Sequence, residues 1–220
     1  LATHIATRLR DAVAQRGKAL LAVSGGKSPV PLFEQLRQQA LPWAQVTLLL
    51  VDERCVPPEH PDSNCALVRQ HLLQDHAAQA RWLPFFDVLP ADASDTDHKL
   101  TALATATQQR LQHLPWPLDV AVLGMGEDGH TASLFPHAPG VAHALHSTHT
   151  VAWTRPATAP HARLTLTLPT LLAARCLVLP LIGAAKHAVF ERACAAPSAD
   201  LPISLLLHQA PSPVHVWQAP

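Results

Sequence analysis

Apolar positions along this chain fall into two kinds of run that take turns. In the first, Ile5, Leu9 and Val13 stand at i, i+4 and i+8, which predicts a helix over 5–16 ended by Gly17. In the second, residues 19–23, 46–51, 118–123 and 177–182 are short and almost wholly apolar. Such runs read as strands buried on both faces, as in a parallel sheet. Further helices are predicted over 30–39, with Ser28 as N-cap and Pro29 at the first helical position, and over 64–75, capped by Asp62 or Ser63. Others cover 99–114, with Leu100, Leu103 and Leu111 inward, and 183–194 and 202–208, and a helix starts over 169–175. Residues 163–168 alternate Leu and Thr and read as a half-buried strand, 214–217 as a final strand, and 81–89 as an edge or irregular segment holding a proline. Residues 140–150 read as a surface loop or short helix with solvated histidines. The alternation predicts an α/β fold: a mainly parallel sheet flanked by helices on both faces, with no clean domain boundary across residues 1–220.

Loops that leave the carboxyl ends of such strands are where open α/β sheets place ligands. After the strand at 118–123 comes Gly124-Met125-Gly126-Glu127-Asp128-Gly129-His130, three glycines and two carboxylates leading to one histidine. Glycines there allow close approach of backbone to a ligand, so His130 is the first candidate for chemistry. After 19–23 comes Ser24-Gly25-Gly26-Lys27-Ser28-Pro29 and then a helix. Unpaired N–H groups and the positive end of a helix dipole meet there, an arrangement that favours an anion such as phosphate. After 46–51 come Asp52, Glu53 and Arg54. Arg54 suits phosphate by type, because a guanidinium fork matches phosphate oxygens. Lys186 stands in the first turn of a predicted helix, where the dipole disfavours a cation unless an anion is near.

Composition narrows the function classes. Sixteen basic and sixteen acidic side chains balance, with no basic run of the kind that marks a nucleic-acid or membrane surface. No apolar run approaches the roughly 20 residues of a membrane span. The amino-terminal segment is amphipathic and has no signal-peptide core; because Leu1 is not an initiator Met, further residues are expected upstream. Four cysteines and fifteen histidines show no metal-ligand spacing, so reduced thiols in a cytoplasmic protein, and no metal, are expected.

Four segments, LAVSGGKSPVPLFEQL, VDERCVPPEHPDSN, LGMGEDGHTASLFP and RLTLTLPTLLAARCLVLPLIGAAKHAVF, together resemble the 6-phosphogluconolactonases and, more widely, the glucosamine-6-phosphate deaminases. The likeness covers most of the chain, and the GHTASLFP loop is its most specific part. The resemblance implies a modified Rossmann-like fold and hydrolysis of 6-phosphoglucono-δ-lactone to 6-phosphogluconate, the second step of the oxidative pentose phosphate pathway. It implies no cofactor and no metal, a small-molecule partner, and a monomer or weak homo-oligomer. It implies that His130 activates the hydrolytic water, that Arg54 and Lys186 bind phosphate, and that Ser24, Gly25 and Gly26 form the glycine loop. Asp52 matches an aspartate that acts as a base in the deaminases, and Arg163 a basic position beside the site. Gly126 belongs to the loop, and Asp128 is expected to shape it or orient His130. Where the deaminase loop reads GHIAFNEP, the position of its Glu is Phe135 here, which favours the lactonase reading.

Overall fold

The computed structural model describes residues 1–219. In chain order it contains α1 (Ala2–Arg16), β1 (Ala19–Val23), α2 (Val30–Leu36), β2 (Val46–Leu50), β3 (Asp52–Arg54), α3 (Asn64–His71), β4 (Arg81–Trp82) and α4 (Asp97–Leu111). There follow β5 (Val120–Val122), α5 (Val141–His146), β6 (Val151–Thr154), β7 (Arg163–Leu166), α6 (Leu168–Leu172), β8 (Leu177–Ile182), α7 (Ala184–Ala195), α8 (Pro202–Gln209) and β9 (Val214–Ala219).

The apolar runs pair side by side in one sheet of order β4-β2-β1-β5-β8-β9, parallel throughout. Taken in chain order, its strands stand third, second, first, fourth, fifth, sixth, so the direction of growth reverses between β1 and β5. Right-handed crossovers on either side of that reversal put the helices on opposite faces, and the loops after β1 and β5 part there to open a crevice. The α1 stripe is buried where the spacing placed it, with Ile5 and Leu9 fully covered, and α1 packs on β1 and β5. No described helix is long and apolar enough to cross a membrane.

A second sheet, β3-β7-β6, carries the rest of the site. The chain runs from β2 through Val51 into β3, which pairs antiparallel with β7 so that Asp52 faces Thr165, Glu53 faces Leu164 and Arg54 faces Arg163. Charges at the end of β2 therefore do not merely solvate a rim; they form a strand, and Asp52 and Glu53 are buried. The Leu/Thr alternation of β7 suggested a half-buried strand, yet all four of its residues are buried. Its polar face is covered by the loop after β5: the Ser133 N–H donates to Thr165 Oγ1 at 3.3 Å. β6 pairs with β7 and carried no clear sequence signal, being four residues long at the edge of a small sheet.

Two local expectations change. Ser28 does not cap α2; Pro29 occupies that position, the helix starts at Val30, and Ser28 Oγ instead accepts from Lys186 Nζ at 3.3 Å. The segment 81–89 forms a strand only at Arg81–Trp82, on the sheet edge, because Pro84 has no N–H to continue a ladder. Elsewhere Ser63 caps α3, its side chain accepting from the Ala66 N–H.

Candidate active site

The crevice at the β1/β5 reversal is a cleft of about 240 Å³ lined by Ser24, Gly25, Gly26, Asp52, Arg54, Gly126, His130, Arg163 and Lys186. Nine of the ten residues singled out from the sequence thus converge on one opening; the tenth, Asp128, stands behind His130. They arrive from five directions: the turns after β1 and β5, strands β3 and β7, and the first turn of α7. Lys27, by contrast, is exposed and does not line the cleft.

His130 is held on two sides. Its Nδ1 lies 2.5 Å from Asp128 Oδ1, and its backbone N–H donates to the same oxygen at 3.1 Å. Burial works to raise the Asp128 carboxyl, but the bond and the charge of His130 outweigh it, and the group is held below the ordinary aspartate range. With Nδ1–H donating to this carboxylate, the lone pair of the neutral ring falls on Nε2. The imidazole also stacks on Phe135, centroids 3.9 Å apart and planes 22° from parallel. The Arg163 guanidinium lies over the same phenyl ring, 4.9 Å from its centroid.

Two glycines make this packing possible. A Cβ on Gly126 would sit 2.2 Å from His130 Nδ1 and 2.5 Å from Asp128 Oδ1, where the pair now lies. A Cβ on Gly25 would sit 1.8 Å from Asn64 Oδ1. That oxygen is buried and unpartnered, and so are Ser24 Oγ, Arg54 Nε and Arg163 Nε, four polar atoms of cleft residues. Buried polar atoms without partners are uncommon in folded proteins, and a cluster in one cleft fits a polar ligand.

Three basic groups, Arg54, Arg163 and Lys186, line the cleft. Arg54 donates to the Asp62 carbonyl oxygen and does not pair with its acidic neighbours. Burial pushes Arg163 below the usual guanidinium range; Asp52 opposes the shift and Arg54 adds to it. Lys186 reaches the cleft from α7 with Ser28 as its hydrogen-bond partner.

Asp52 is fixed by Ser133, whose Oγ donates to Oδ2 at 2.6 Å, and its carbonyl accepts from Asn64 Nδ2 at 2.8 Å. Glu53 points away from the cleft and is structural. It accepts from the backbone N–H groups of Arg54, Asn64 and Cys65 and from Ser63 Oγ, at 2.7–3.0 Å. Residue patterns alone did not single out Asn64, Ser133 or the bracing role of Phe135. Asn64 carried one faint signal: it opens α3 directly after the loop that follows the Asp52–Arg54 run.

Comparison with known proteins bears on the same arrangement. The family described as glucosamine-6-phosphate isomerases/6-phosphogluconolactonase matches residues 1–217. A 6-phosphogluconolactonase of Pseudomonas aeruginosa is 42% identical over 98% of this chain and 88% of its own length. One from Neisseria meningitidis is 40% identical over 100% and 93%. The crystal structure of a 6-phosphogluconolactonase from Shewanella baltica superposes with a TM-score of 0.91 at 38% identity, covering 99% of this chain and 91% of that one. A match along nearly the whole sequence, to relatives of nearly equal length and the same fold, establishes that the chain belongs to the glucosamine-6-phosphate isomerase/6-phosphogluconolactonase family of enzymes.

Proposed function

We propose that this chain hydrolyses 6-phosphoglucono-δ-lactone to 6-phosphogluconate, the second step of the oxidative pentose phosphate pathway, with His130 as general base. The observation that carries the reading is the 2.5 Å contact between His130 Nδ1 and Asp128 Oδ1: a proton on Nδ1 donated to that carboxylate leaves Nε2 as the free base in a cleft lined by three cationic side chains.

The chemistry asks for little machinery. A δ-lactone is an activated ester, so one positioned base and a firm hold on the substrate are enough. Arg54, Lys186 and the Ser24–Gly26 turn hold the 6-phosphate, and that remote binding energy fixes C1 over His130. Nε2 takes a proton from the attacking water as its oxygen bonds to C1, and returns a proton to the ring oxygen as the C1–O bond breaks. Arg163, beside Phe135, faces the negative charge that develops on the carbonyl oxygen. Asp52, held by Ser133, accepts a hydrogen bond from a sugar hydroxyl. No covalent enzyme intermediate is required, and Ser133 is already engaged with Asp52. The family also contains deaminating isomerases, but the carboxylate of the deaminase loop is replaced here by the phenyl ring that braces His130. The same reading makes the chain a cytoplasmic enzyme with a small-molecule partner, working as a monomer or weak homo-oligomer.

The test is a continuous assay on freshly generated lactone, measured against its spontaneous hydrolysis, with ammonia release from glucosamine 6-phosphate followed in parallel. His130→Ala is expected to lower kcat by about 10²–10⁴-fold, the share of a general base. Near-full activity in that variant, or ammonia release by the unaltered chain, would overturn the reading.

A further inference from the structure

Away from the cleft, at the β9 edge of the parallel sheet, three ligand-type side chains meet from distant parts of the chain. His4 comes from the first turns of α1, Cys176 from the residue before β8, and His215 from the start of β9. One ligand atom from each lies within 4.8 Å of the others, and Cys176 Sγ is 3.8 Å from His4 Nε2. Sequence spacing gives no hint of this, because His4 and Cys176 are 172 positions apart.

The geometry is close to what a metal asks for. With Zn–S near 2.3 Å and Zn–N near 2.0–2.1 Å, a tetrahedral site has a sulfur-to-nitrogen edge of about 3.6 Å and a nitrogen-to-nitrogen edge of about 3.4 Å. The Sγ–Nε2 separation of 3.8 Å is already within a few tenths of an ångström of that edge, and the remaining separations, at most 4.8 Å, have to shorten on binding. We propose that His4, Cys176 and His215 form a binding site for a divalent transition metal of the zinc type, with its fourth position open to solvent or a further ligand.

Burial lowers the pKa of His4, with His215 and Arg8 adding to the shift, and raises that of the Cys176 thiol, so the thiol must give up its proton to bind a metal. Coordination releases the thiol proton to solvent, the usual coupling of metal binding to ionisation. Cys176 is only 3% exposed and lines an open groove with Asp11, Asp119 and the basic Arg8, Arg16 and Arg175, of which Arg16 and Arg175 already pair with Asp119. On the outer side Trp217, 41% exposed, stands over His4 with ring centroids 6.0 Å apart. Two imidazoles and a thiolate suit zinc or cobalt and not the oxygen-seeking magnesium or calcium.

A second cluster, His60, Asp62 and His161, is a weaker candidate because its atoms are already spent on each other. His161 Nε2 lies 2.9 Å from Asp62 Oδ2, and His60 Nδ1 accepts from the Asp62 N–H at 3.0 Å. Apart from the long contact between Cys176 and His4, the first cluster has no such partner among the described residues.

The experiment is anaerobic titration of the reduced, full chain with Co²⁺, followed by displacement with Zn²⁺. Expected are a cysteinate-to-cobalt charge-transfer band, visible bands of tetrahedral intensity and saturation at one equivalent. Cys176→Ser should abolish the charge-transfer band, and both that variant and His215→Ala should weaken Zn²⁺ binding on the order of 100-fold. Lactone hydrolysis should be unchanged in both. If Cys176→Ser folds poorly, His4→Gln carries the same test from the helix surface. The absence of a cysteinate band in the unaltered chain, or its persistence in the Cys176 variant, overturns the proposal. So does loss of binding in His161→Ala with none in His215→Ala.

Discussion

The imidazole of His130 lies flat on the ring of Phe135, 3.9 Å from centroid to centroid. Phe135 is 3% exposed and covers one face of the imidazole while Asp128 holds Nδ1, so both contacts restrict rotation of the histidine. Bracing of this kind affects the reaction through position. Phe135→Leu keeps an apolar side chain but removes the buried ring, and should cost on the order of 1–3 kcal/mol of stability. Its kcat should fall by about 10-fold, the usual penalty for a loosened catalytic group, with KM little changed. Urea unfolding and steady-state kinetics on the same preparation check both halves. An unchanged kcat would mean that the ring merely fills space.

Gly126 can be tested for the same reason. A methyl group there would occupy space within 2.2 Å of His130 Nδ1, so Gly126→Ala must push the imidazole or Asp128 out of line. The expected result is a kcat loss approaching that of His130→Ala, about 10²-fold or more, in a protein that still folds. Circular dichroism together with the lactone assay reads this directly. Near-normal turnover would show that the loop relaxes around the methyl group and that the tight approach has no catalytic use.

Much of this arrangement is legible in the order of residues alone. The continuous apolar runs mark the parallel sheet, and the loops at strand ends mark the cleft, because a parallel sheet sends every such loop to one edge. What cannot be read that way is whatever depends on partners distant in the chain. Glu53 looks like Asp52 on paper, yet a strand's alternation turns one toward the cleft and the other into the α3 terminus. Ser133 meets Asp52 across 81 positions, and β7 looks half-solvated because its second cover is a loop with no periodicity of its own. Ser28 looks like a cap because residue type alone does not say that a lysine 158 positions away will take its hydroxyl.

Glu53 makes a stability prediction independent of catalysis. It is 2% exposed and accepts from three backbone N–H groups and one hydroxyl. Glu53→Ala leaves those donors without a partner and should cost at least about 3 kcal/mol, since each buried orphan costs on the order of 1–3 kcal/mol. Burial holds the carboxyl above the usual glutamate range, and the four hydrogen bonds only partly offset it. A raised folded value means the native state binds the proton more tightly than the unfolded one. Stability from this group therefore falls as pH rises from the ordinary glutamate value through the raised one. Urea midpoints of the wild type and of Glu53→Gln, followed upward from pH 4.5, should converge or cross as that contribution is lost. Parallel curves would remove Glu53 from the account.

Lys186 makes the sharpest prediction, because its two effects have opposite signs. It stands in the first turn of α7, where the helix dipole repels a cation, and its hydrogen-bond partner is the neutral Ser28 hydroxyl. In the ligand-free chain the charge is thus a liability, and Lys186→Met should be as stable as wild type or more so, by up to about 1 kcal/mol. Phosphate is expected to reverse the balance: bound as proposed between Lys186, Arg54 and the Ser24–Gly26 turn, which line one cleft, it would cancel the repulsion and stabilise the folded state by mass action. Inorganic phosphate should therefore raise the Tm of the wild type and act as a competitive inhibitor. In Lys186→Met the rise in Tm should largely vanish and KM for the lactone should climb about 10- to 100-fold, with kcat nearly kept. Thermal scans with and without phosphate separate the two effects in one experiment. A variant less stable without phosphate, yet equally stabilised by it, would mean that Lys186 serves the fold and that the phosphate is held by Arg54 and the glycine turn without it.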